Sequence, residues 1–455
     1  MKIFCPNINN PETLAMLQAL YSRSHKSIEE HLVDMDSDNE SQLKNEEKLK
    51  NSLKKYYLNY GHESIADCGS TTLFIEDVSI IAAKAIQETN LYNGQESSTR
   101  YIDFSTKEDS LKSLLNDNEN KDYVKNKDLI NSIIKDYFTL YHSVFNHTFN
   151  YIKNTKFEKD YNLTPNEKRA VEAFSFDVAR GFLPSGTTTQ LSFHGTLRGL
   201  RKHFLHLKKH PFNEVRQIAT QALSILYSKY PNSFKEEDSI SCKDHYSVDE
   251  YFVFDVSSLS SFNKDNLLYT FKNNTDVIVK NNGIHHNSSY MNGNVLIISN
   301  KLDYGSWRDL QRHRNGFCYP TIPQFKPNSK GFNIHDWYMS YLDDMHFDHL
   351  YCIIKNLEKL ETNLDSDTLL NYLLPLGTKV DYIGSYNVEE IYYIMDLRLR
   401  DTVHPTLTQF LSDVVNNLTL TEYYNKVSEL SNREFSLKRG KQTIFENDKA
   451  ISDKD

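Results

Sequence analysis

Two short patterns recur along this chain at fixed separations, and an internal repeat limits the fold more than any other single feature. Gly61-His62-Glu63-Ser64 resembles His285-His286-Asn287-Ser288, 224 residues later. The same separation carries Glu88-Thr89-Asn90 onto Arg312-His313-Arg314. Leu183-Pro184 and Leu374-Pro375 stand 191 residues apart, and each leads into a helix with an aliphatic stripe. Anchors sharing one separation, with another in the same order, point to a chain built twice. The expected architecture is α/β (α+β), in tandem copies, each a β-sheet with packed helices. The first copy is placed at 1–235 and the second at 250–438. The charged stretch 231–250 is the boundary, and a disordered tail follows from about 439.

A length of 455 residues suits two or three domains. The chain has 52 basic and 61 acidic residues, a net charge of −9, so no basic field draws it to nucleic acid. Its five cysteines are odd in number and form no C-x-x-C pair. A disulfide framework or thiolate zinc site is therefore not expected, no metal is assigned, and a cytoplasmic setting fits. No signal peptide is read at the N-terminus. No apolar run approaches about 18 residues, so no membrane span is read.

Local patterns predict several elements. Residues 25–55 read as a solvated helix or a mobile excursion. Leu73 to Asn90 begins as a strand and turns helical, with Ile80, Ala83 and Ile86 on one face. Residues 106–128, rich in Lys, Asp and Asn, read as a loop or insertion. Residues 129–152 read as a helix with a buried face. Thr164-Pro165 opens a helix, with Thr as N-cap and Pro at N1, running to about Phe182. Leu197, Leu200, Phe204 and Leu207 make an apolar helical stripe.

Arg312-His313-Arg314 sets donor-rich side chains on consecutive positions, suited to phosphates and carbonyl edges. A bare tripeptide of this kind is more often an exposed basic cluster. Its context, from Trp307 through Arg308-Asp309-Leu310-Gln311, reverses that preference. Glu96-Ser97-Ser98-Thr99-Arg100-Tyr101 offers a carboxylate, a hydroxyl and an arginine at turn-like spacing. Ser98 and Arg100 could converge on one phosphate, although an ordinary surface turn has the same appearance. Ala179-Arg180-Gly181-Phe182-Leu183-Pro184 places an arginine at a helix end, where the helix dipole alone could account for it.

Together these strings resemble the flavin-dependent thymidylate synthases, over roughly 60–220 and 285–410. The family order is R-H-R, then S, then N-E-x-S-x-R-Y, followed by A-R-x-x-L-P. The copies divide it: the first keeps Ser98, Arg100 and Arg180, and the second keeps Arg312-His313-Arg314. Asn371 replaces the second copy's A-R arginine, and Lys208 stands in the first copy where Arg398 stands in the second. Thr196 takes the place of an expected asparagine that the second copy keeps as Asn387. Double-length members of this family are known, and the segment around Arg312 looks most like theirs.

The resemblance implies methylation of dUMP to dTMP. Methylenetetrahydrofolate would supply the carbon, FAD the hydride, and NADPH the reduction of the flavin. It implies dUMP contacts from Glu96, Ser98, Arg100, Arg180 and Arg398. It implies FAD contacts from His62, His286, Arg312, His313, Arg314, Asn387, Arg198 and His404. Arg398 and Arg312 are the implied catalytic residues. In relatives the site forms between subunits, so a homodimer of fused copies, a pseudo-tetramer, is implied. Two alternatives stay open: a catalytically decayed homologue that keeps flavin or nucleotide affinity, and a related flavin enzyme acting on another pyrimidine nucleotide.

Overall fold

The computed structural model describes residues 10–22, 24, 25, 27, 30, 31, 63–117, 121–158, 161–252, 267–272, 276–281, 295–325, 333–365, 368–431 and 435–441. Two compact units emerge. One comprises Met1–Glu76, Leu91–Glu96 and Gln190–Tyr251, and the other Asp77–Asn90, Ser97–Thr189 and Phe252–Asp455. The first draws only on residues up to Tyr251, whereas the second also takes in everything beyond it.

Strands β1 (Ser70–Ser79) and β2 (Thr188–Thr196) form a two-stranded sheet. The first unit builds its core on the Leu197–Leu207 and Asn213–Lys229 helices. Leu197, Leu200, Phe204 and Leu207 are all fully buried, as the stripe predicts. The Glu12 carboxylate, 1% exposed, accepts bonds from the Asn232 N–H at 3.1 Å and the Ser233 hydroxyl at 2.7 Å. That ties the Pro11–Tyr21 helix to the unit's far end.

In the second unit, β3 (Leu267–Lys272), β4 (Asp276–Asn281), β5 (Val295–Ser299), β6 (Phe317–Cys318) and β7 (Tyr382–Tyr386) form an antiparallel sheet, ordered β3-β4-β5-β7-β6. The Lys127–Lys156 helix buries Ile130, Ile133, Tyr137, Leu140, Tyr141 and Val144 along one face. The Pro165–Ala179 helix starts as its sequence predicts. Thr164 and Glu167 make a reciprocal capping box with Pro at N1, and a 3-10 turn, Arg180–Phe182, continues it. The 73–90 segment also follows expectation: β1 passes into the Ile80–Ile86 helix, which is buried throughout.

Backbone bonds repeat at the separations seen in the sequence. Ser185 N–H donates to the Leu374 carbonyl at 2.8 Å, and Leu376 N–H to the Leu183 carbonyl at 2.9 Å. Gly186 N–H donates to Tyr372 at 2.7 Å, and Gly377 N–H to Gly181 at 2.8 Å. Exchanging every residue for its counterpart 191 positions away converts each of these bonds into another of the set, about the facing pair Pro184 and Pro375. Ile80 and Ile81 donate to Thr187 and Ser185; 224 residues on, Tyr304 and Gly305 donate to Thr378 and Leu376. Ser79 caps one of these helices through Ala82 N–H, and Asp303 caps the other through Ser306 N–H, both at 2.9 Å. The Tyr338 ring packs so closely here that a Cβ on Gly181 would lie 2.3 Å from it. Only glycine leaves that space.

Several expectations need amendment. Residues 106–128 are not a plain loop: helices span Glu108–Asp117 and Lys121–Lys125. Leu111, Leu115 and Tyr123 are buried, a helical spacing that the surrounding Lys, Asp and Asn conceal. The tail does not begin at Arg439, which is 3% exposed and ion-paired; residues 442–455 lie outside the described residues. Most of 25–55, and both His62 and His286, lie outside them as well. No helix among the described residues is long and apolar enough to cross a membrane.

Candidate active site

In the second unit, short polar segments from both halves of the sequence meet. The turn after Ser97 carries Arg100. The Pro165–Ala179 helix carries Asp177 one turn before Arg180. Asp309 lies in the Tyr304–Leu310 helix, with Arg312 and His313 just beyond it. Arg398 closes the Val388–Arg398 helix.

Arg100 grips Asp177 as a fork, Nε to Oδ1 at 2.7 Å and Nη2 to Oδ2 at 3.0 Å, and its Nη2 also reaches the Thr402 carbonyl at 3.0 Å. Arg439 donates to the same Asp177 carboxylate. Burial opposes ionisation of Asp177, but Arg100 and Arg439 outweigh it and hold the carboxyl well below its ordinary range. Burial likewise works against the charge on Arg100, and Asp177 more than restores it.

Asp309 is the electrostatic hub. Burial disfavours its charge, while Arg312, Arg398, Arg180 and Arg100 all act on it and depress its acidity range. Arg312 Nε lies 3.9 Å from Asp309 Oδ1, with its own side chain 47% exposed. Arg398 donates through Nη2 to the Asp309 carbonyl and through Nε to His313 Nε2, both at 3.0 Å.

An arginine donor on Nε2 fixes the His313 tautomer: the proton sits on Nδ1, which lies 3.2 Å from Glu390 Oε1. Burial first, and Arg398 second, push the His313 pKa down to about 3. His404 is fully buried, between Thr406 on Nδ1 and the Asp177 carbonyl, 3.2 Å from Nε2. Burial and Arg180 lower its pKa to about 3. Both imidazoles are therefore neutral when folded.

Arg180, like Arg439, keeps two buried donor nitrogens open in this network, and unlike Arg439 it makes no ion pair with Asp177. It is 2% exposed, yet its Nε and Nη2 have no hydrogen-bond partner among the described residues. Tyr338, Asp177 and Asp309 favour its charge against burial. A buried guanidinium with open donors is costly unless an acceptor is supplied.

Of the residues read from the sequence, Arg100, Arg180, Arg312, His313, Arg398 and His404 thus share one network. Ser98 adjoins it and accepts the Arg100 N–H at 3.3 Å. Arg314 follows directly on His313. Asn387 caps the Val388–Arg398 helix through Glu390 N–H at 2.7 Å. Glu96 and Arg198 belong to the first unit: Glu96 bridges to Leu191, and Arg198 Nε pairs with Asp67 at 2.8 Å. Sequence reasoning missed the carboxylates Asp177, Asp303 and Asp309, and also Tyr338 and Arg439. Asp177 had a signal, its position three residues before Arg180 on a helix.

Residues 7–232 match the family model described as "Thymidylate synthase complementing protein". The match covers just under half of the chain, and over that span the chain resembles this family. It is a family of flavin-dependent thymidylate synthases. A UPF0159 protein of Chlamydia muridarum (strain MoPn / Nigg) is 29% identical over 215 residues, covering 45% of this chain and 38% of its own length. A UPF0159 protein of Chlamydia pneumoniae is 29% identical over 185 residues, covering 38% of this chain and 33% of its own. The chain spans less than two-fifths of the length of these relatives. Among solved structures, the flavin dependent thymidylate synthase ThyX of Helicobacter pylori, complexed with FAD and dUMP, is 16% identical. It aligns over 52% of this chain and 99% of its own, with a TM-score of 0.31. A second Helicobacter pylori ThyX structure with FAD and dUMP gives 14% identity, the same coverage and a TM-score of 0.28. These superpositions are too loose to pair residues.

The neutral histidines give a pH prediction. Between pH 6.5 and about 3 the unfolded chain takes up protons at His313 and His404 that the folded chain refuses. Stability is therefore full above 6.5 and declines as the pH falls through that window, with Asp177 and Asp309 adding to the loss at its acid end. Thermal melting from pH 7.5 to 4 is expected to register a loss of roughly 2 kcal/mol or more. An unchanged melting temperature over that range would refute the neutral assignment.

Proposed function

We propose that this chain methylates dUMP to dTMP, with methylenetetrahydrofolate as carbon donor and NADPH-reduced FAD as hydride carrier. In this reading the two halves are fused, specialised copies that share one site. Arg180 carries the proposal: its buried, unsatisfied Nε and Nη2 form a donor pair awaiting an anionic or carbonyl oxygen. The reciprocal backbone bonds about Pro184 and Pro375 support the duplication. Both curated relatives are longer than this chain, because one aligned stretch is a smaller share of them.

The donor set suits both ligands. Arg100, Arg180 and Ser98 would hold the nucleotide's phosphate and carbonyls. Arg312, the half-exposed member of the network, and Arg314 beside it would hold the flavin's phosphates. The bound flavin supplies hydride transfer. The protein holds the reactants in register and places fixed positive charge at the uracil ring. Arg398 is pre-oriented for that second task, because His313 and the Asp309 carbonyl clamp two of its nitrogens. His313 can clamp only while neutral, since its Nε2 lone pair accepts from the arginine.

Anaerobic incubation with dUMP, methylenetetrahydrofolate, NADPH and FAD is expected to yield dTMP. Arg100→Ala and Arg312→Ala should each lower kcat/KM for dUMP at least 100-fold. Full activity in both variants would refute a site shared between the halves. Absence of dTMP from flavin-replete protein would refute the reaction.

A further inference from the structure

The Lys127–Lys156 and Asp344–Glu361 helices carry a cluster with no part in the proposed reaction. His147 lies on the first helix. Asp343 caps the second, and His346 sits in its first turn. One donor atom from each of the three lies within 4.8 Å of the other two. His147 Nδ1 is 3.4 Å from Asp343 Oδ2, and His346 Nδ1 is 2.7 Å from Asp343 Oδ1. A tetrahedral zinc ion, with bonds of about 2.0–2.2 Å, keeps its ligand atoms roughly 3.3 Å apart. The His147–Asp343 separation matches that spacing, and the His346–Asp343 pair, now at hydrogen-bond length, would open by about 0.6 Å on ligation.

The surroundings fit ligation. His346 is 2% exposed, and its Nε2 lies 2.9 Å from the Ser143 hydroxyl, one helical turn before His147. With the proton on Nε2 and bonded to Ser143, the Nδ1 lone pair accepts the Asp343 N–H at 3.4 Å and also faces a carboxylate oxygen at 2.7 Å. Two lone pairs at that distance repel unless a cation lies between them. A hydrogen bond on the far nitrogen is also how a ligating imidazole is oriented. The His147 and Asp343 side chains are 39% and 42% exposed, leaving a solvent side for a water as fourth ligand.

We propose that His147, Asp343 and His346 bind one zinc-class divalent cation and so clip the two helices together. Nitrogen and carboxylate ligands suit zinc, cobalt and nickel, and no thiolate is involved. The competing arrangement has no metal: Nδ1–H of His346 bonds Asp343, and the Ser143 hydroxyl donates to Nε2.

The test is titration of the chelator-treated full chain with Co2+, followed by visible absorption, and with Zn2+ by calorimetry. One equivalent per chain with the bands of a tetrahedral cobalt site is expected, along with a rise in melting temperature. Affinity should fall at least 10-fold in His346→Ala and in His147→Gln, the latter an exposed position whose change leaves the core intact. Cys242→Ser should bind as the parent does. Less than one equivalent, or unchanged affinity in His147→Gln, would establish the metal-free arrangement.

Discussion

Asp177→Ala is expected to destabilise the protein by about 3–5 kcal/mol, the usual cost of removing one partner from a buried charge network. The side chain is fully buried, and it neutralises Arg100 through two bonds and Arg439 through a third. Deleting it strands the buried Arg439 guanidinium and leaves Arg100 only the Thr402 carbonyl and its small exposed area. Asp177→Asn keeps the shape but not the charge, so it should recover only part of the loss. Urea unfolding measures both variants. A loss under 1 kcal/mol in Asp177→Ala would mean that Arg100 and Arg439 find other acceptors, and the network would not hold the second unit together.

The second large effect falls on function. Arg180→Ala should reduce kcat/KM for dUMP by more than 100-fold, about 3 kcal/mol or more, if its two open nitrogens each make a charge-assisted bond to the nucleotide. Arg180→Lys separates charge from geometry. A lysine still offsets Asp309 and Asp303 but offers a point charge where the fork offered paired donors. It should melt close to the parent and bind dUMP at least 10-fold more weakly. Equal kcat/KM in parent and Arg180→Lys would show that the open donors do not meet substrate.

The site's arginines were legible in the sequence because they sit in short ordered strings: Arg100 in Glu96–Tyr101, Arg180 before Leu183-Pro184, and Arg312 beside His313. Their counter-charges were not. Asp177 and Asp309 look like ordinary helix-surface carboxylates until the fold buries them. Arg439 lies in a polar segment whose composition suggests disorder, and one ion pair with a residue 262 positions away decides otherwise. Caps and stripes were readable where the signal is local, as at Thr164-Pro165 and at Leu197 to Leu207. The helices within 106–128 were missed because their few buried residues are outnumbered by charge. Glu96 and Arg198 stand apart from these arginines. Each matches a pattern by spacing, and yet each belongs to a different compact unit from the arginine network.

The reciprocal bonds about Pro184 and Pro375 also set a schedule for synthesis. Ser185 and Gly186 emerge from the ribosome well before their acceptors, Leu374 and Tyr372. At about 5–20 residues per second, that gap is on the order of ten to forty seconds. Throughout it, the first Leu-Pro segment has only water, or the equivalent segment of another nascent chain, to bond. The covalent link between the halves then raises the local concentration of the correct partner above that of any neighbour. Residence on one chain thereby gives each half a fixed companion.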